Sequence, residues 1–316
     1  MDGVVGYIVS VVVIPAVVAA AVASIGLATP LRRRAWAVEV FPAAGLALAF
    51  LVSFTNELGW TALVRRFVTV AGDDAPFERW HWLGIVAAFL VLAAPLLTFA
   101  RARVPRGGAP FATQAALGLS AGLLAGFVQF PQSNVLSQLG LAGLVLASGS
   151  AVALAGGAFH WIAWGSFGVI AALAGIGGFA SLAVMCGAMS VAALAFAILG
   201  ALGGRLVKDA APVESAGAPM LAAAVMLALA ARCGDFYDQS RTPDFLWWMT
   251  ALVPGFALFF IRPSLRAPSI GAATFWRTLG AALAGVAILG AALAIDASKP
   301  GDGGEQEDPY ADMYGG

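Results

Sequence analysis

Arg232, Asp235 and Asp238 stand three residues apart in the stretch Ala231-Arg-Cys-Gly-Asp-Phe-Tyr-Asp-Gln-Ser-Arg-Thr-Pro-Asp244, the densest polar patch adjoining an apolar run. Side chains three apart share a helical face, so Arg232 and Asp235 can pair there. Arg232 enters the patch from an apolar run that begins near Pro219, about 20 Å back along a helix. A guanidinium at that depth either binds a solute anion or snorkels its head to water while its stem stays buried. Asp238, Arg241 and Asp244 continue the spacing, but Gly234 and Thr242-Pro243 argue against one unbroken helix.

Glu57 follows Asn56 at the end of another apolar run, on the side where the Arg232 patch is expected. A membrane-edge carboxylate facing the bundle is a proton or cation site; facing water, it is an ordinary helix end. Gln129, Gln132, Asn134 and Gln138 add polarity at the same face. Glu57, Arg232, Asp235 and Asp238 are therefore the expected substrate-binding residues.

Other chemistries find no support. His81 lies between Trp80 and Trp82, and His160 stands beside Trp161 and Trp164. Both are expected at the interface, on opposite membrane faces, which forbids a shared haem or metal, since ligands must converge within about 2 Å of one ion. Cys186 and Cys233 form no Cys-x-x-Cys pair, and Lys208 and Lys299 both fall outside apolar runs, which excludes a retinal-type Schiff base. Gly175-Ile-Gly-Gly178 has no strand, lysine or acidic partner for a nucleotide loop. No cofactor and no metal are expected. A net charge of zero without a basic face gives no argument for nucleic acid.

The elements that must position these residues follow from composition. The 316 residues are 61% hydrophobic and 11% charged, whereas about a quarter of a soluble domain is charged. An all-α, polytopic integral membrane helical bundle of about ten transmembrane helices is expected, with the lipid bilayer as its surroundings. The apolar runs are 4–28, 39–59, 82–100, 111–130, 135–156, 159–178, 180–204, 218–236, 245–261 and 270–295, forming one domain over 1–295. The first lacks the basic flank of a signal peptide and is read as a retained span.

Arg32-Arg33-Arg34, then Arg101, Arg103 and Arg106, then Arg205 and Lys208, then Arg262 and Arg266 mark alternate loops. Placing them in the cytoplasm puts both termini outside, and the inner membrane of a bacterium is the expected location. The segment between Trp60 and Trp80 is expected to lie outside, its first half along the interface. Residues 296–316 are Gly-rich and acidic and are expected to be a disordered tail, either merely solvated or a docking peptide ending in Pro309 to Tyr314.

Gly118-x3-Gly122-x3-Gly126 would let helix backbones approach closely, and Pro15, Pro42, Pro95 and Pro254 can kink their helices and free carbonyls. Two functions suit this architecture. One is a small-solute secondary transporter with an externally facing polar vestibule. The alternative is a non-catalytic structural or accessory subunit of a membrane complex, binding protein partners through its Gly-rich spans or its acidic tail. An enzyme would need Glu57, His81, Asp235 and Asp238 to converge.

Overall fold

The structure is a computed structural model that describes residues 2–60, 79–102, 109–129, 134–155, 158–207, 217–238 and 242–298. It is all-helical, with no strand among these residues. In chain order the helices are α1 (Asp2–Ile8), α2 (Ile14–Leu27), α3 (Ala35–Leu58), α4 (Trp82–Ala102), α5 (Ala109–Gln129) and α6 (Val135–Ala155). There follow α7 (Phe159–Ile176), α8 (Ala180–Leu206), α9 (Gly217–Tyr237), α10 (Asp244–Leu252), α11 (Ile261–Leu265) and α12 (Ile270–Ser298). A π-helical turn, Val9–Val13, joins α1 to α2, and a 3-10 segment, Val253–Phe260, joins α10 to α11.

Five of the stretches are long and apolar enough to cross a membrane: Val4–Leu27, Ala35–Leu58, Phe159–Ile176, Ala180–Gly203 and Ile270–Ser298. Shorter apolar helices occupy Trp82–Leu96, Gly118–Phe127, Val135–Ser148 and Asp244–Phe260. Large apolar side chains such as Val17, Leu92, Leu96, Leu124, Phe259 and Val286 are exposed on the outside of the bundle. Water-soluble monomers rarely leave so much apolar surface uncovered, and these features together mark a membrane protein. The interfacial segment expected between Trp60 and Trp80, most of the acidic tail, and the loops bearing Arg103, Arg106 and Lys208 lie outside the described residues.

Helix α9 is the axis. Ala222 to Ala231 are all buried, and α9 packs on α3, α4, α5, α6, α7 and α10 and touches α8. A helix that is apolar all round is stable only when surrounded, and its alanines let these neighbours approach. Elsewhere α2, α3, α7 and α8 pack together, and α12 lies on α7 and the 3-10 segment. The Gly118-Gly122-Gly126 stripe serves the chain itself. Those three positions of α5 meet Leu146, Ala142, and Gln138 with Leu141 of α6, and a Cβ on Gly122 would stand 2.5 Å from the Ala142 Cα.

Two prolines set the local irregularities. Pro15 has no N–H, so it cannot serve Val11 in an α-ladder or Ser10 in a π-ladder. Both carbonyls are met from α3: Ser53 Oγ donates to Val11 O at 2.5 Å, and Asn56 Nδ2 donates to Ser10 O at 2.7 Å. Pro254 stands in the 3-10 segment and cannot serve Ala251, whose carbonyl instead accepts from Ser148 Oγ of α6. Proline breaks are tolerated in a bilayer where side chains re-satisfy the freed groups. Replacing Ser53 by Ala should cost about 1–3 kcal/mol, the range for leaving one buried acceptor unpaired. Adding Pro15→Ala to Ser53→Ala should restore much of it by returning the N–H. Chemical unfolding in detergent checks both; a double variant no better than Ser53→Ala would refute the pairing.

Candidate functional site

The C-terminal end of α3, the start of α4, the α7–α8 turn and the C-terminal end of α9 meet at one end of the bundle. The turn holds them. Gly178 has φ of 76°, the left-handed region that favours glycine. Its N–H bonds Gly175 O, and Phe179 N–H bonds Ala174 O at 2.8 Å, which together close a Schellman motif. From this turn Phe179 packs edge-on against Trp80, with ring centroids 5.6 Å apart, and against Tyr237 of α9 at 5.3 Å.

Glu57 is turned into the bundle. Its Oε1 accepts from Ser181 Oγ of α8 at 2.5 Å, and the Tyr7 hydroxyl of α1 also interacts with this carboxylate. Its Oε2 is buried and has no hydrogen-bond partner among the described residues. Asn56, its neighbour, instead caps the π-helical turn, as above.

Arg232 and Asp235 pair on one helical face, as their spacing predicts: Arg232 Nη1 lies 2.6 Å from Asp235 Oδ2. The guanidinium also sits over the Trp248 ring, 5.4 Å from its centroid, in cation–π geometry. Its side chain retains 24% exposure, against 7% for Asp235. Asp238 and Asp244 lie close enough for their charge to act on Asp235.

Asp238 is the anchor of the bend. Its Oδ2 accepts from Thr242 N–H and from Trp247 Nε1, both at 2.9 Å. Trp247 is fully buried, and a Cβ on Gly234 would fall 2.1 Å from its ring, so Gly234 is the space the indole occupies. Gly177 of the turn lies against Asp238, where a Cβ would stand 2.9 Å from Oδ1. Thus Asp238 touches the α7–α8 turn at Gly177, Glu57 touches α8 just beyond it at Ser181, and Arg232 with Asp235 stands beside Asp238 on α9.

Several expected participants have other occupations. Asn134 Oδ1 caps α6 through Ser137 N–H, and Gln138 Nε2 donates to Gly126 O. His81 is buried between Trp80 and Phe54. His160 is likewise buried, between Phe159 and Phe196. Gln132 and Arg241 fall outside the described residues. Sequence reasoning missed Ser181 and Tyr7 because neither lies near Glu57 in the chain. The Gly-Gly of the turn and the Gly234 beside a Trp-Trp pair were the available signals for the rest.

No group of three or more His, Cys, Asp or Glu suited to a metal occurs among the described residues. No known protein family matches the chain, and comparisons with curated proteins and with solved structures return no match.

The two acidic groups of the α9 end should therefore separate on mutation. Asp238→Ala strands two donors, one of them from a buried indole, and should cost about 1–3 kcal/mol. Asp235→Ala leaves Arg232 over Trp248 with part of its head already in contact with solvent, so the freed guanidinium can be hydrated and the loss should be about 1 kcal/mol. Thermal unfolding of both variants checks this; equal losses would remove the distinction.

Proposed function

We propose that this chain is a secondary transporter of a small solute, with Glu57, Arg232, Asp235 and Asp238 around a polar vestibule at the α3–α9 end. The observation that carries this reading is Glu57: a carboxylate directed into an apolar bundle, one oxygen on Ser181 and the other buried without a partner among the described residues. Carboxylates in such surroundings are costly and are retained chiefly where ions or solutes pass. Arg232 supplies the counter-charge, held by Asp235 and Trp248, with enough exposure to exchange Asp235 for a solute anion. Asp238 fixes the rim. The proline breaks at Pro15 and Pro254 suit an architecture of discontinuous helices, in which such sites are built.

The topology that goes with this reading has about ten spans, the Arg32, Arg101, Arg205 and Arg262 loops in the cytoplasm and both termini outside, in a bacterial inner membrane. The vestibule then opens outward. The competing reading, an accessory subunit, loses one surface because the α5 glycine stripe is already filled by α6; the acidic tail would carry its partners.

The test is thermal unfolding of purified protein against a panel of small charged solutes, followed by Glu57→Gln and Arg232→Ala. A ligand present at 100 times its dissociation constant stabilises by about 2.7 kcal/mol. The wild type should show such a shift and both variants should lose it while still folding. Unchanged shifts in both variants would sink the vestibule. A stoichiometric protein partner seen by native mass spectrometry, with no responding solute, would favour the subunit.

A further inference from the structure

The corner between α11 and α12 carries arginines that the solute reading does not use. From residue 245 to residue 295 the chain has three charged side chains, Arg262, Arg266 and Arg277, and no carboxylate. They stand where an apolar run stops. The 3-10 segment Val253–Phe260 leads into α11, and residues 267–269 turn the chain back into α12.

Arg262 and Arg266 are one helical turn apart, since Arg266 N–H bonds Arg262 O at 3.3 Å. Side chains at that spacing share a face. Both are exposed, and neither has a side-chain hydrogen bond or an ion pair among the described residues. Ser264, between them in the chain, is instead buried and accepts from Arg277 Nε of α12 at 3.1 Å. Phe260 stacks on Trp276 beside it, with ring centroids 6.0 Å apart and planes 13° from parallel. These two contacts pin α11 to α12 by its inner side and leave Arg262 and Arg266 on the outside.

The surroundings of the pair are apolar and lack negative charge. Phe259, Leu265, Ile270 and Phe275 are 77%, 72%, 77% and 60% exposed. In a bilayer such side chains belong against acyl chains, and guanidinium groups beside them belong at headgroup depth. Helix α11 packs mainly on α12 and the 3-10 segment. The first carboxylate those elements offer is Asp296, nineteen residues beyond Arg277 and so about 28 Å along α12. Two like charges one turn apart repel, and an anion accepting from both removes the repulsion. Guanidinium forks match phosphate oxygens in bidentate geometry. A choline headgroup would add a positive charge to a corner that has nothing to meet it, so charge favours a headgroup that is negative overall.

We propose that Arg262 and Arg266 hold the phosphate of an anionic phospholipid whose acyl chains run beside Phe259 and Phe275. The Arg277–Ser264 bond positions α11 for this contact. The inference rests on the membrane character of the bundle and stands apart from the solute reading, because it concerns other residues and reads lipid instead of solute.

The experiment is the melting temperature of the full chain in mild detergent as phosphatidylglycerol or phosphatidylcholine is added. A ligand bound only by the folded state raises stability with its concentration. The wild type should melt several degrees higher with phosphatidylglycerol and should respond little to phosphatidylcholine or to inorganic phosphate. The double variant Arg262→Gln/Arg266→Gln should lose most of that rise; both side chains are exposed, so it should still fold. Arg33→Gln/Arg34→Gln removes the same charge from another loop and should keep the rise. No rise in the wild type, an equal rise with phosphatidylcholine, or an undiminished rise in Arg262→Gln/Arg266→Gln overturns the site. An equal loss in Arg33→Gln/Arg34→Gln would reduce the effect to diffuse surface charge, and an equal rise with inorganic phosphate would assign it to the free ion; either result also overturns the proposal.

Discussion

Hydrocarbon offers no hydrogen bonds, so every carbonyl that a break releases must find a donor inside the bundle. That constraint organises this chain. Pro15 releases carbonyls that Ser53 and Asn56 take up, and Pro254 releases one that Ser148 takes up. Arg32 takes up the end of α2 together with a carbonyl of α8. Each bond crosses between elements, so these groups also fasten α3 to the π-helical turn, α6 to α10, and the α2–α3 turn to α8.

Around those fastenings the apolar packing is permissive. Helix α9 is encircled by its neighbours and offers them mostly methyl groups, which fit many partners at short distance but select none in particular. Selection comes from a few large or polar side chains at its end. Trp247 fills the gap left by Gly234 and fixes Asp238, Asp238 meets Gly177, and Phe179 is gripped by Trp80 and Tyr237. The candidate site is thus built where the interchangeable part of the core stops.

What could be read from sequence was what depends on local chemistry. Apolar runs, prolines and glycine pairs located the helical stretches, and three-residue spacing paired Arg232 with Asp235. Among the described residues, five helices are long and apolar enough to cross a membrane, and the other apolar helices are shorter. What escaped depends on contacts between distant parts of the chain. Ser181 lies 124 residues from the Glu57 it bonds. The burial of His81 and His160 escaped because nothing local reports that Phe54 and Phe196 pack against them. Arg32 reads as one of three loop arginines, and only its meeting with Gly200 sets it apart.

The π-helical turn at Val9–Val13 holds one residue more than an α-helix would use for the same path. An extra residue advances a helix by about 100° around its axis. Helix α1 is therefore out of phase with α2 by that angle, and the phase difference decides which of its side chains faces α3. In this phase Tyr7 interacts with Glu57. Shortening the turn by one residue would rewind α1, carry Tyr7 around the barrel of the helix and present a different side chain to the carboxylate. The π-turn thus works as an angular setting, fixing the azimuth of α1 relative to the site.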